Sequence, residues 1–173
     1  MSNDPADKPY ATPDDSAQAD AWSGLALALD PIEPLPTLRA SLVAELSGTA
    51  RLAPFAVDVA RVFGVTREAA RTALSRIGEP DIWRDGFAPG SRVFASEELR
   101  AANAVIARLP AGSTIPVHAH SGRELTLVLQ GRLIEDAHTH YGPGDVLDMS
   151  AETQHAIAVS DDAECLVVFS PYA

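Results

Sequence analysis

The sequence predicts a mainly β protein in which a small barrel follows a short α-helical region. Beyond Trp83, apolar and polar residues alternate in short runs that glycine and proline separate, which is the pattern of half-buried strands. Between residues 21 and 78 the apolar residues recur instead at helical spacing. Three histidines and one glutamate occupy strand-like runs of the second region, as expected of a site inside a barrel.

The helical region is predicted to cover residues 21–82. Residues 1–20 before it are polar and rich in Asp, Pro and Ala, so they carry too little apolar surface to order, and we expect a disordered tail. Residues 21–29 form a short apolar segment that the following prolines break. Thr37 is placed to cap a helix over residues 38–46, where Leu and Val repeat at helical spacing.

Two further helices are predicted over residues 55–63, closed by Gly64, and over residues 67–77, capped by Thr66. This pair resembles a DNA-binding helix-turn-helix, and its basic residues are Arg67, Arg71 and Arg76. A net charge of -11 and a pI near 4.7 argue against contact with a polyanion. We therefore expect two packed helices with solvated arginines.

The barrel region is predicted to span residues 83–173. Trp22 and Trp83 flank the helices, and we expect both to anchor packing. Many short strands with turns between them are typical of a sandwich or barrel. The predicted strands cover residues 92–95, 104–109, 114–120, 124–135, 145–149, 155–159 and 164–169.

A metal site is predicted from four residues of the barrel region. Because side chains alternate along a strand, His118 and His120 point to the same face. Ser121 and Gly122 then reverse the chain, and the returning strand brings Glu124 back beside the imidazoles. His155 lies in a later strand. Three imidazoles and a carboxylate form a mixed N/O site for one divalent transition metal ion.

Other polar residues are expected to have structural roles. His138 and His140 form a second His-x-His pair in turn-rich sequence without a carboxylate at the matching offset, so we expect an exposed hairpin. The lone Cys165 lies in an apolar run, where we expect a buried small hydrophobe rather than a reactive or metal-binding thiol. Asp148 and Glu152 are candidate proton acceptors at the mouth of the barrel, although we expect surface charges.

Composition is that of an ordinary globular protein, with 46% hydrophobic and 21% charged residues. The first residues lack the basic and apolar segments of a signal peptide, and no apolar run approaches the ~20 residues that span a bilayer. We therefore expect a cytoplasmic protein that binds neither membranes nor DNA directly.

The chain resembles the cupins in two motifs. The run from Gly112 to Gly131 matches Gly-x5-His-x-His-x3-Glu-x6-Gly at every defined position. The second motif, Gly-x5-Pro-x-Gly-x2-His-x3-Asn, is matched at Gly144 and His155, whereas its Pro, Gly and Asn are replaced by Ser150, Glu152 and Val159. The resemblance implies a double-stranded β-helix (cupin) barrel.

The chain is similar in particular to the C-terminal cupin domain of ChrR-type anti-sigma factors, over residues 115–131, 141–145 and 163–168. This resemblance implies restraint of an extracytoplasmic-function sigma factor until an oxidative signal arrives. It also implies a bound zinc ion, held by the residues that match the family's ligands: His118, His120, Glu124 and His155.

The chain departs from that group at its N-terminal side. Such anti-sigma factors carry a second zinc there, on a His-x3-Cys-x2-Cys run, whereas no histidine or cysteine precedes His118 in this sequence. The helical region would then bind a sigma factor without its own zinc, or act only as a linker.

The function we expect is that of a metal-binding, anti-sigma-like sensor of stress in transcription, which forms a homodimer and takes a small-molecule ligand at the metal. Zinc is the expected metal, with iron, manganese and nickel as alternatives. The competing hypothesis is an enzyme, because three histidines and one glutamate leave two open positions on an octahedral ion. Iron at this site would suit a dioxygenase acting on a small molecule. A storage or structural metal module is a third reading, and no residue is assigned a catalytic role.

Overall fold

The computed structural model describes residues 22–24, 28, 30, 33–46 and 48–171. Its contacts divide the chain into two compact units, residues 1–40 and 41–173. The tail predicted over residues 1–20, and most of the apolar segment predicted over residues 21–29, lie outside the described residues. Within the described part of the chain, no helix has both the length and the apolar character that a membrane span requires.

Helix α1 runs from Pro36–Leu46 across the division between the units. It begins one residue before the predicted cap Thr37, because proline is well suited to a first helical position, where its missing N–H leaves no hydrogen bond unmade. The apolar stripe of this helix is not buried: the side chains of Leu38, Leu42 and Val43 are exposed. The expectation that Trp22 anchors packing was wrong, since that side chain is 64% exposed.

The second unit begins with helical turns that end where the sequence predicts. A 3₁₀ segment, Gly48–Phe55, leads into α2, Ala56–Phe63, and α3 follows over Arg67–Ser75. Gly64 terminates α2 with a φ of 67°, and the Thr66 hydroxyl accepts a hydrogen bond from the Ala69 amide at 3.1 Å. Both predicted capping residues are therefore confirmed. Further short 3₁₀ segments cover Arg76–Gly78, Pro80–Ile82 and Glu97–Ala102.

The described residues contain ten strands, all of whose pairings are antiparallel. One sheet has the order β1-β2-β3-β10-β5-β8, and the other has the order β4-β9-β6-β7. The mainly β class, with a few preceding helices, is thus confirmed. The strands are β1 Arg84–Asp85, β2 Arg92–Phe94, β3 Val105–Leu109, β4 Thr114–Ala119, β5 Glu124–Gln130, β6 Leu133–Glu135, β7 Thr139–Tyr141, β8 Val146–Met149, β9 Gln154–Val159 and β10 Cys165–Ser170.

The single strand predicted over residues 124–135 is two strands in different sheets. The chain leaves the larger sheet after β5 and enters the smaller one at β6, and Gly131 lies at the change with a φ of 77°. A Cβ atom at this position would lie 2.5 Å from the Glu164 carbonyl oxygen. Only glycine permits both this backbone conformation and this close approach, so the apolar run is interrupted there.

Strand β5 is buried on both faces and so joins two cores. On its outer face, Leu125, Leu127 and Leu129 belong to a cluster that includes Val59 of α2 and Leu74 of α3. Its inner face carries Val128 in a second cluster, which lies between the sheets and includes Leu133, Leu147, Ile157 and Val167. The helices of residues 48–78 therefore pack on the outside of the larger sheet.

Trp83 anchors the chain where the helices give way to the strands. Its indole is 5% exposed, and its Nε1–H donates a hydrogen bond to the Ile77 carbonyl at 3.2 Å. The Arg108 guanidinium lies 4.4 Å from the indole centroid, within the range of a cation–π contact. Residues 41–173 form one compact unit, and the division of the chain into regions 21–82 and 83–173 stays a prediction.

Because the helices and the larger sheet share one core, we predict that they unfold together. Leu74→Ala should lower the free energy of unfolding by roughly 2–5 kcal/mol, as expected for a cavity left at a buried leucine. The exposed Val57 on α2 provides the control, since Val57→Ala should change stability by no more than about 0.5 kcal/mol. Urea denaturation followed by circular dichroism tests this, and a separate early transition of the helices in the wild type would contradict it.

Candidate metal centre

Four predicted residues converge between the two sheets. His118 lies on β4 directly opposite His155 on β9, because these two residues are paired in register. His120 follows the end of β4, and Glu124 begins β5 in the other sheet. The reversal at residues 121–122 therefore carries the chain from the smaller sheet to the larger one, so that both sheets supply donor atoms.

The side chains form a compact group. One ligand atom from each of His118, His120, Glu124 and His155 lies within 4.8 Å of all the others. The imidazole centroids are separated by 4.9 Å for His118 and His120, and by 4.7 Å for each of the two pairs that include His155. This is the only such cluster of histidine, cysteine and acidic residues among those that the structure describes.

Two of the imidazoles have one nitrogen engaged outside the group. Nδ1 of His118 lies 3.0 Å from the Pro116 carbonyl oxygen, and Nδ1 of His155 lies 3.0 Å from Oε1 of Glu135. An acceptor at this distance favours the tautomer that carries its proton on Nδ1. The Nε2 lone pairs of both rings are then directed into the group, where these two nitrogens lie 3.2 Å apart.

A network of hydrogen bonds fixes the Glu135 carboxylate behind His155. Its other oxygen, Oε2, accepts a hydrogen bond from the Tyr141 hydroxyl at 2.9 Å. Burial, and then the hydrogen bond to Glu135, raise the pKa of Tyr141 to about 12, so the hydroxyl stays protonated and remains a donor. Sequence reasoning missed Glu135 and Tyr141. The available indication was that Glu135 shares a strand face with the buried Leu133.

His120 is buried beside Glu124. Its Nδ1 lies 3.5 Å from Oε2 of Glu124, whereas its Nε2 is buried and has no hydrogen-bond partner within the described part of the chain. Burial lowers the pKa of His120 below its ordinary value, and the opposing effect of Glu124 is smaller. The ring is therefore held neutral, which is the form that binds metals.

This donor set fits a divalent metal ion. Two imidazole lone pairs directed at each other across 3.2 Å repel unless a proton or a cation lies between them, and a buried nitrogen without a partner is costly. One cation would satisfy these nitrogens and the Glu124 carboxylate together. Three imidazoles and one carboxylate are ligands that zinc, iron, nickel and manganese accept.

The altered second motif keeps its backbone shape at one position. Glu152, which stands where the motif has glycine, has a φ of 66°, a left-handed conformation that disfavours most residues other than glycine. Its amide donates a hydrogen bond to the His120 carbonyl at 2.9 Å. The turn that precedes His155 is therefore retained despite the substitution.

The remaining polar candidates lie apart from the group. His138 and His140 are exposed on the hairpin of β6 and β7, as expected. Asp148 accepts two hydrogen bonds from Arg123, at 2.8 and 2.7 Å, and this pair lies at the surface. Cys165 is buried, burial raises its pKa to about 12, and its thiol is not part of the clustered group.

A cavity of about 380 Å³ opens beside the group. His118 and Glu124 line one part of it, and the rest of its wall is almost entirely apolar. Several inner-face residues contribute to that wall, among them Leu133, Leu147 and Val167. The four-residue group therefore borders a space large enough for a small molecule.

Comparison with known proteins gives the family. The sequence profile of the ChrR cupin-like domain matches residues 86–172, a range that contains strands β2 to β10. This chain belongs to the ChrR cupin-like domain family. The predicted resemblance and the predicted cupin barrel are thereby confirmed.

Individual relatives of this ChrR-like cupin match only parts of it or differ widely in sequence. The anti-sigma-E factor ChrR of Cereibacter sphaeroides is 39% identical over 64 residues, which are 35% of this chain and 30% of that protein. The chain thus matches less than a third of the length of this curated relative.

Two solved structures are also similar. A chain from the crystal structure of Rhodobacter sphaeroides SigE in complex with the anti-sigma ChrR is 24% identical, with a TM-score of 0.45, over 89% of this chain and 76% of that one. KdgF from Halomonas sp. is 21% identical, with a TM-score of 0.41, over 53% of this chain and 88% of that one.

We predict that Glu135 sets the metal affinity of this group without touching the metal. Glu135→Gln should weaken binding of a divalent ion by roughly 10–100-fold, because His155 loses the anionic acceptor that orients its ring. Competition with a chromophoric chelator measures the affinity. Glu164→Gln, at an exposed carboxylate, is the control and should leave affinity unchanged. An unaltered affinity in Glu135→Gln would show that the network has no such role.

Proposed function

We propose that this ChrR-like cupin binds one divalent metal ion through His118, His120, Glu124 and His155, and that it acts as an anti-sigma-like sensor of stress in transcription. The observation that carries the proposal is the convergence of four donor atoms within 4.8 Å inside a domain of the ChrR cupin-like family. The proposed metal is zinc, and iron, manganese and nickel are the alternatives that the same donors would accept.

Binding of a metal would tie the two sheets together. His118 and His155 belong to the smaller sheet and Glu124 to the larger one, so an ion held by all of them resists separation of the sheets. When bound, the ion supplies a positive charge and a Lewis acid at the wall of the cavity. Because the native state alone presents all four donors, binding would also raise the stability of the fold.

Strand β5 provides a physical route from the metal centre to the helices. Glu124 lies at its first position, and the adjacent Leu125 is in the core that the helices share. A change in how Glu124 is held therefore acts on a strand against which α2 and α3 pack. A sensor needs such a connection, since its two states must differ at the surface that meets the partner.

The proposed partner is an extracytoplasmic-function sigma factor. Support comes from the 39% identical relative, which is an anti-sigma-E factor. The chain has 24 acidic and 13 basic side chains, and this excess favours a basic partner, such as a protein that binds DNA. The sequence lacks the N-terminal zinc run of longer members, so the helices would make the contact through their own packed surface. A homodimer and a cytoplasmic location stay predictions from the sequence.

The second candidate function is that of a metal-dependent dioxygenase. The observation that favours it is the cavity of about 380 Å³ that His118 and Glu124 border, because a substrate there would lie beside the open positions of the metal. The two functions differ in the metal that they require. Zinc in the native protein supports the sensor, whereas iron together with oxygen uptake supports the enzyme.

We predict that the metal content of the purified protein depends on each of the four ligands. His118→Ala and His155→Ala should each lose most of the bound metal, because the remaining donors leave the ion exposed to water. Elemental analysis of protein purified from the same medium measures the occupancy. His138→Ala and His140→Ala are the controls, because they make the same substitution on the exposed hairpin, and both should retain full occupancy. Full occupancy in both His118→Ala and His155→Ala would overturn the assignment.

We also predict that the full chain captures a sigma factor with an association rate that falls as salt is added. A pull-down against the sigma factors of the native source tests the capture, and surface plasmon resonance then measures the association rate at several salt concentrations. Glu68→Lys, on the exposed side of α3, should slow association, whereas Glu164→Lys, in the turn before β10, should not. If metal-loaded protein retains no sigma factor and instead consumes oxygen, the enzyme is the better assignment.

A further inference from the structure

The cavity beside the metal centre is polar at one end only. Three of its lining residues can interact with a polar group: His118, Glu124 and Thr126. Glu124 and Thr126 are two residues apart on β5, so their side chains project from the same face of the strand. The rest of the wall is built from aliphatic and aromatic side chains, which offer a ligand no hydrogen bonds.

Thr126 is the least expected of these residues. It is 6% exposed and lies between two apolar lining residues, since it pairs with Phe169 on β10 and with Leu147 on β8. Among the described residues its hydroxyl has no side-chain hydrogen-bond partner, and it is not one of the fully buried unpaired atoms, so the oxygen keeps some accessible surface. A ligand atom in the cavity could supply that partner.

Two aromatic rings border the apolar part of the cavity. Phe87, in the loop between β1 and β2, meets Phe169 edge to face with their centroids 5.2 Å apart. Phe87 is 54% exposed, so part of its ring remains free to contact a ligand. An apolar ligand that entered between the sheets would cover part of this ring.

The volume limits the size of the ligand. A dry apolar cavity of about 150 Å³ holds benzene, which has six heavy atoms. By the same ratio, a cavity of 380 Å³ holds a molecule of roughly fifteen heavy atoms.

We propose that this cavity binds a small amphiphile of about ten to fifteen heavy atoms in all, with an apolar body and with an anionic oxygen head at the end formed by His118, Glu124 and Thr126. The preference for an anion rests on the proposed metal function. A divalent ion with one carboxylate and three neutral imidazoles carries a net positive charge, whereas the carboxylate alone would repel an anion.

Titration calorimetry with sodium decanoate as the probe tests the proposal on the full metal-loaded chain. We expect saturable binding of one decanoate per chain, with a dissociation constant below about 1 mM. Affinity should rise about fourfold for each methylene added to shorter chains, and it should stop rising when the cavity is full. Removal of the metal should weaken decanoate by about tenfold or more, and the uncharged 1-decanol by much less.

Two matched variants of β4 locate the binding. Ile115 lines the cavity and is partly buried, whereas Val117 on the same strand is 67% exposed and does not line it. Ile115→Trp should therefore abolish decanoate binding while Val117→Trp should not, with metal content measured in both. Thr126→Val, which keeps the shape of the side chain, should weaken decanoate by about two- to tenfold through loss of the hydroxyl.

The outcomes separate this inference from the proposed function. If the wild type holds its metal but binds no decanoate, or if Ile115→Trp binds it as well as Val117→Trp does, the amphiphile site is wrong and the metal site stands. If the wild type takes up no metal, the proposed function fails, and so does the preference for an anion. Binding of 1-decanol by that metal-free protein, lost in Ile115→Trp, would still support an apolar ligand, and its absence would overturn the cavity as a binding site.

Discussion

Strand β5 has to be compatible with two environments at once, and most of the architecture follows from that requirement. Its leucines at 125, 127 and 129 are covered by the helices, and its alternate residues face the space between the sheets. A strand with one polar face can expose that face to water. Strand β5 has two apolar faces, so both must be covered by other parts of the protein. The helices of residues 48–78 are therefore part of the core, and their removal would expose the outer face of the sheet.

The interior of the barrel is mostly apolar but contains a few polar groups. Burying these groups costs free energy unless each has a partner. His155 is 2% exposed, but its Nδ1 is matched by Glu135, which Tyr141 in turn holds. Among the described residues, Nε2 of His120 has no partner, and the Nε2 atoms of His118 and His155 meet only each other. Such groups are expensive to bury unless something else satisfies them, which is the physical basis for placing a cation among them.

The four-residue group lies both beside the cavity and at the start of β5, and a regulator and an enzyme would use this position differently. It borders a cavity lined by Glu124 and His118, and it lies at the start of the strand that supports the helices. A ligand that met the metal would thus act where the two sheets and the helical core come together. In a sensor this coupling would change the outer surface, whereas in an enzyme the same cavity would orient a substrate and exclude water.

Features that depend on neighbouring residues in the chain could be predicted from the sequence. The spacing of His118, His120 and Glu124 fixes their common orientation through the period of a strand, and Gly64 and Thr66 mark helix ends through local backbone and hydrogen-bond chemistry. His155 could be predicted as well, because its distance from Gly144 matches the spacing of the second motif. The buried character of Cys165 followed from its apolar neighbours.

Other features were decided only by the tertiary structure, because they join residues that are distant in sequence. Glu135 meets His155 across 20 residues, and nothing in the local pattern distinguishes it from a surface glutamate. The run over residues 124–135 reads as one strand, yet a close approach of Gly131 to the backbone of Glu164 divides it between two sheets. Periodicity determines which face a side chain occupies. Which partner that face meets depends on how the sheets pack, and this packing determines the cavity and the contact of Glu135 with His155.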